Sequence, residues 1–246
     1  MDPVLETGFS FMDSRPEFAP CVRTFLNNTF DPRAPVSAVA ELLCQQAEIG
    51  TFIVVENGER PEDAIVGFIS ILDLTVQCPE TQYLTAYLVS KAPKLQDFAT
   101  SRIGLLVSER VLNTPGELIP RMHSEFLKDI EWAQSQHSGA HQYDYLVLCT
   151  RYCKLFSEAA AQPHKKKKTR AVEEEVLFLK PEEEDFYKAA EVVAAYQSES
   201  GDVGGSESSA SQQYHFTDDQ HTEKMVIVLA WPAYVRCVQT LASQSL

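Results

Sequence analysis

The 246-residue sequence has no glycine-rich turn of the kind that holds a phosphate. No G-x-G-x-x-G follows an apolar run and no G-x-x-x-x-G-K-[ST] occurs. The one glycine-dense stretch, GDVGG at 201–205, lies in a polar segment with no strand before it. Backbone N–H groups at a glycine turn opening a helix are what cradle a pyrophosphate, so nucleotide cofactors are not expected. Acetyl-coenzyme A calls for a similar loop after a strand, and that is missing too. No apolar run approaches the roughly 18 residues of a membrane-spanning helix. The opening MDPVLETGF lacks the basic-then-apolar order of a signal peptide. Positive charge is scarce: 21 Lys and Arg stand against 35 Asp and Glu, a net charge of −14. General binding to DNA or RNA is thereby disfavoured, because it depends on cations that displace phosphate counterions. There is no G-x-S-x-G elbow, and no cysteine lies beside a histidine with an orienting partner, so no catalytic residue is assigned.

What is present describes a cytosolic or nuclear α/β protein. Phe9 and Phe11 share one face of a short strand. Ser14, Pro16 and the stripe Phe18, Cys21, Val22, Phe25 and Leu26 predict a capped helix, and a second helix opens at Ser37. GTFIVVEN and AIVGFISIL are β-rich and flank the polar NGERPED, which reads as an antiparallel hairpin with a long loop. ETQYLTAYLVSKA is a helix, RIGLLVSE a strand, and a helix from near Pro115 turns Leu118, Met122, Phe126, Ile130 and Ala133 inward. DYLVLCTRY and EEVLFLK are strands, PEEEDFYKAAEVVAAY a helix, MVIVLA a strand and WPAYVRCVQTLAS a closing helix. This interspersed order predicts one domain, residues 1–246, with a single central sheet, mostly antiparallel or mixed, flanked by helices. Mobile loops are expected near 162–172 and 197–213, the second rich in Ser, Gly and Glu.

Four potential zinc ligands, His137, His141, Cys149 and Cys153, fall within 17 residues of one another, but Cys149 lies inside a strand pattern and the histidines in the polar QSQHSGAHQYD. Surface histidines and buried thiols are the expected reading, with no metal. Ser108, Glu109 and Arg110 form a polar cluster at a strand end, where charges are expected to pair with neighbours. Lys165, Lys166, Lys167, Lys168 and Arg170 concentrate five positive charges in an acidic chain. An exposed basic tract of this kind reads as a nuclear-import signal for an import receptor, with a solvated loop or a contact to RNA as the alternatives. Residues 173–191 then carry eight acidic and two basic side chains. Glu173, Glu174, Glu175, Glu182, Glu183, Glu184 and Asp185, beside Phe178, Phe186 and Tyr187, are the candidate surface for a basic protein partner.

Seven segments in order resemble the BCCIP family. Residues 103–131, IGLLVSERVLNTPGELIPRMHSEFLKDIE, are similar to the family's strand running into Ser-Glu-Arg, then Asn before a proline and a long helix. VGFISILDL, AELLCQQAEIGTFI, DYLVLCTRY, the Lys tract, EEEDFYKAAE and the closing strand and helix follow in the family's order. The resemblance implies a fold like that of the N-acetyltransferases without their cofactor loop, no cofactor and no enzyme activity. It implies a nuclear protein, shuttling to the cytoplasm, that chaperones a basic large-subunit ribosomal protein of the uL-fourteen type in ribosome biogenesis. The alternatives are an adaptor in cell-cycle control, DNA repair or nuclear export, and, further off, an acyltransferase-like enzyme.

Overall fold

A computed structural model describes residues 8–30, 34–56, 64–137, 139–156, 174–197 and 222–244. The strands are β1 (Phe9–Asp13), β2 (Thr51–Val55), β3 (Ile65–Asp73), β4 (Ile103–Arg110), β5 (Tyr145–Phe156), β6 (Glu174–Phe178), β7 (Val192–Tyr196) and β8 (Thr222–Ala230). The helices are α1 (Ala19–Leu26), α2 (Val36–Gln45), α3 (Pro79–Lys91), α4 (Leu118–Gln136), α5 (Glu183–Lys188) and α6 (Trp231–Gln244). Among the described residues, all eight strands join one open sheet in the order β1-β2-β3-β4-β5-β8-β7, with β6 added to β5. The mixed α/β architecture expected from the sequence is therefore present.

Alternation along each strand divides the core in two. Phe52, Phe68, Leu105, Val107, Val147, Val226 and Val228 face α1, α2 and α3. Ile53, Ile69, Ile71, Leu106, Leu146, Leu148, Ile227 and Leu229 face α4 and α6. Near-continuous apolar runs such as IVGFISIL follow from this, since a sheet covered on both sides buries both faces of its strands.

Local signals explain most of the helices. In α3, Cys78 precedes Pro79 and the Thr81 hydroxyl accepts from the Cys78 N–H at 3.1 Å, closing the first turn. The predicted caps Ser14 and Ser37 play other parts. Ser14 instead donates to the Leu43 carbonyl at 3.2 Å, tying the chain before α1 to α2, and Ser37 lies inside α2 without a capping bond.

The predicted helix over PEEEDFYKAAEVVAAY is corrected. Only Glu183–Lys188 are helical, and Val192–Tyr196 form β7, paired antiparallel with β8 from Val192↔Val228 to Tyr196↔Lys224. Alanine and glutamate favour a helix locally, but β8 offers an open edge, and its ladder overrides that preference. The NGERPED loop, the Lys tract and nearly all of 197–213 lie outside the described residues.

Candidate functional site

β4 and β5 form the one parallel pair among the described strands, as the crossover through α4 requires. Their ladder is short: Ile103↔Tyr145, Gly104↔Leu146 and Leu105↔Val147. Gly104 leaves room for the Ile71 side chain of neighbouring β3, because a Cβ there would meet Ile71 Cδ1 at 2.3 Å. Beyond Leu105 the strands part, and from Tyr152 the edge of β5 that faced β4 is taken by β6. A wedge opens between them. In an α/β sheet, the gap where neighbouring strands diverge is a natural place for a ligand. Here the chain's own charged side chains enter it.

Lys180, just after β6, is the centre of the plug. Its ammonium donates to the Ser108 carbonyl at 2.6 Å and pairs with Glu109 at 3.3 Å and Glu183 at 2.9 Å. One of these bonds thus serves a β4 carbonyl that has lost β5 as its neighbour. Glu109 also accepts from the Thr29 hydroxyl at 2.8 Å, which anchors the segment after α1. The Thr29 carbonyl in turn accepts from Lys224 at 3.3 Å. On the other face, the Arg110 guanidinium makes a two-pronged pair with Glu182, with Nη2 at 2.9 Å from Oε2 and Nη1 closer still to Oε1. Glu183 accepts from the Thr150 hydroxyl of β5. Glu109, Lys180, Glu182 and Glu183 are all buried.

Burial and pairing set the charges. Burial alone drags the Lys180 ammonium down, yet Glu109 and Glu183 outweigh it and the net shift is upward. Glu182 is pushed up by burial and pulled back further by Arg110, ending below its ordinary range. Glu183 has only shares of Lys180 and Thr150 against full burial, which carries it up to about 7. Three carboxylates against two cations leave one acid in excess, and Glu183 is the one that gives way. Behind them His123 of α4 is wholly buried, with Nδ1 2.9 Å from the Tyr234 hydroxyl and its ring 5.6 Å from Phe186. Desolvation takes it down to about 4, so the imidazole is neutral at physiological pH.

The predicted acidic surface is therefore divided. Glu182 and Glu183 point inward and are already bonded to Arg110, Lys180 and Thr150, a correction to their reading as partner-facing groups. Glu184 is exposed and pairs with Lys188 at 2.7 Å, and Asp185 is half-buried. Glu174 and Glu175 lie in β6, while Glu173 and the tract Lys165, Lys166, Lys167, Lys168 and Arg170 fall outside the described residues. Phe178 and Phe186 are core. Glu109 and Arg110 pair with neighbours, as expected of the strand end. Of the four zinc candidates, Cys149 faces α1–α3 within β5, His137 meets Glu48 at 3.2 Å and His141 meets Tyr143. No group of three metal-ligating side chains gathers among the described residues. Sequence reasoning missed Lys180 and His123. The only visible signals were a lysine three residues before a glutamate and a histidine on the inward stripe of α4.

No helix among the described residues is long and apolar enough to cross a membrane. A family model described as BCCIP matches residues 4–186. Protein bcp1 of Schizosaccharomyces pombe is 26% identical over 169 residues, covering 63% of this chain and 60% of that protein. Protein BCP1 of Debaryomyces hansenii is 25% identical over 179 residues, 63% of this chain and 58% of the relative. The human BRCA2 and CDKN1A-interacting protein is 31% identical over 150 residues, 52% of this chain and 46% of its own length. The match thus spans less than two thirds of these relatives. A crystal structure of BCP1 from Saccharomyces cerevisiae superposes with a TM-score of 0.66 at 19% identity, over 97% of this chain and 89% of that one, which shows a shared fold.

Proposed function

Because the chain belongs to the BCCIP family, we propose that it is a non-catalytic nuclear protein that holds a basic client, a large-subunit ribosomal protein of the uL-fourteen type. The net charge of −14 carries this reading. A ribosomal protein without its RNA exposes cationic surface, and an anionic companion screens it until assembly. Once Glu182 and Glu183 are turned inward, the proposed contact falls to Glu184 and Asp185, with Glu173, Glu174 and Glu175 kept in the proposal on sequence grounds. A fold resembling that of the N-acetyltransferases, without their cofactor loop, belongs to the same proposal. Supporting it is the parting of β4 and β5, and supporting the lack of a cofactor site there is the occupation of that wedge by Lys180, Glu182 and Glu183. Relatives named for their partners rather than for a reaction agree with a binding role.

Capture from a nuclear extract on the immobilised protein tests the reading. A large-subunit ribosomal protein is expected to return, and the complex should weaken steeply as salt rises, because charge governs the encounter. A capture free of basic proteins, or one indifferent to salt, sinks it. The adaptor reading is favoured by one specific observation, the name of the human relative, which interacts with BRCA2 and CDKN1A. Depletion separates the two: a ribosome factor lowers the large-subunit peak in a sucrose gradient and an adaptor leaves it intact. Nuclear entry rests on the Lys tract. Replacing Lys165–Lys168 with neutral residues should leave a fluorescent fusion in the cytoplasm, and nuclear signal equal to the parent refutes the role.

A further inference from the structure

We propose that the wedge binds one internal water molecule, held between Ser108 Oγ of β4 and His123 Nε2 of α4, which joins the helix to the ion-pair network. Among the described residues, these are the two buried side-chain nitrogen or oxygen atoms without a hydrogen-bond partner. Buried polar atoms are nearly always satisfied, and where two orphans border one cavity, a shared partner is the economical explanation. Both residues line the same cavity. Strand alternation accounts for that. Ser108 is in step with Leu106, whose side chain packs on the face covered by α4, whereas Glu109 points to the opposite face with Leu105 and Val107.

The size and chemistry of the cavity select its occupant. It offers about 10 Å³ to a water-sized sphere, close to what one molecule needs and too little for anything larger. Glu109, Glu182 and Glu183 border it, which disfavours an anion. Arg110 and Lys180 already neutralise two of those carboxylates, and a buried serine hydroxyl with a neutral imidazole makes a poor cage for a metal ion. A small neutral molecule that both donates and accepts remains. His123 requires that versatility. Its Nδ1 is engaged with Tyr234, so Nε2 presents either a proton or a lone pair, according to which of the two donates. Water satisfies both tautomers, and the Ser108 hydroxyl rotates to match.

A crystal structure of the whole protein that shows ordered solvent tests this directly. One water peak is expected within about 3.2 Å of both Ser108 Oγ and His123 Nε2. An empty cavity, or a water touching only one of the two, overturns the proposal. Equilibrium unfolding of Ser108→Ala, His123→Phe and the double variant gives an independent reading. A bridging water couples the two positions, so the double variant should lose clearly less stability than the two single losses together. Strict additivity counts against the bridge. If His123→Phe fails to fold, the wild-type crystal structure still decides the matter.

Discussion

Glu183 and His123 line one cavity and titrate in opposite senses. The Glu183 carboxyl, held at about 7 in the fold against 4.5 for the ordinary group, keeps a proton that the unfolded chain has already released. Its share of stability is therefore present at low pH and lost as pH rises toward 7. His123, ordinarily near 6.5, is brought down to about 4 in the fold, so the unfolded chain takes up a proton first. Its share is present above 6.5 and lost as pH falls toward 4. Each amounts to roughly 3 kcal/mol by linkage, and between pH 4.5 and 6.5 the two oppose each other. Denaturant unfolding of the wild type should thus show a nearly flat stability in that window. Glu183→Gln should expose the histidine's slope, losing stability on acidification, and His123→Phe the glutamate's, losing it as pH climbs to 7. If both variants keep the parent's pH profile, the cluster is not titrating as described.

At the scale of single elements, the α3 start carries a measurable contribution. Thr81→Ala removes the hydroxyl that accepts from the Cys78 N–H, and a loss of about 1 kcal/mol is expected in urea unfolding. An unchanged midpoint argues that the bond adds nothing. Elements like this one, with periodic apolar faces and a proline at the first turn, were legible from the amino acids alone: α1 through α4, α6, and β1 to β6 and β8 fall where patterning puts them. β7 was not, because EVVAAY is short and its fate depends on β8, some thirty residues further along. The wedge was illegible for a related reason. Glu182 and Glu183 sit in an acidic run that resembles a solvated helix start; Lys180 reaches Glu183 locally, three residues away, but only the divergence of β4 from β5 brings Arg110 against Glu182 and Glu109 against Lys180. A run of like charges in sequence says nothing about which members will find cations 70 residues away. The expected pairing of Glu109 and Arg110 was readable, though the identity of their partners was not.

Over the molecule as a whole, a net charge of −14 repels itself while it attracts cationic companions. Added salt should then act in two directions. The melting temperature of the isolated protein is expected to rise as sodium chloride is brought from low concentration to about 0.15 M, where the screening length falls to roughly 8 Å. The complex with its client should loosen over the same range. A melting temperature that stays level or drops means that the acidic groups are locally balanced and not a field the client can sense. The same sheet also dictates an order of events. β1 to β4 pair with sequence neighbours and can assemble while the chain is still being synthesised, but the far edge of β4 has to wait. Glu109 and Arg110 meet their counter-charges only after Lys180 and Glu182 have emerged, several seconds later at about 5–20 residues per second. A nascent chain therefore displays the β4 edge beyond Leu105 with bare charges for that interval, and translation stalled between the two halves would leave an adhesive intermediate.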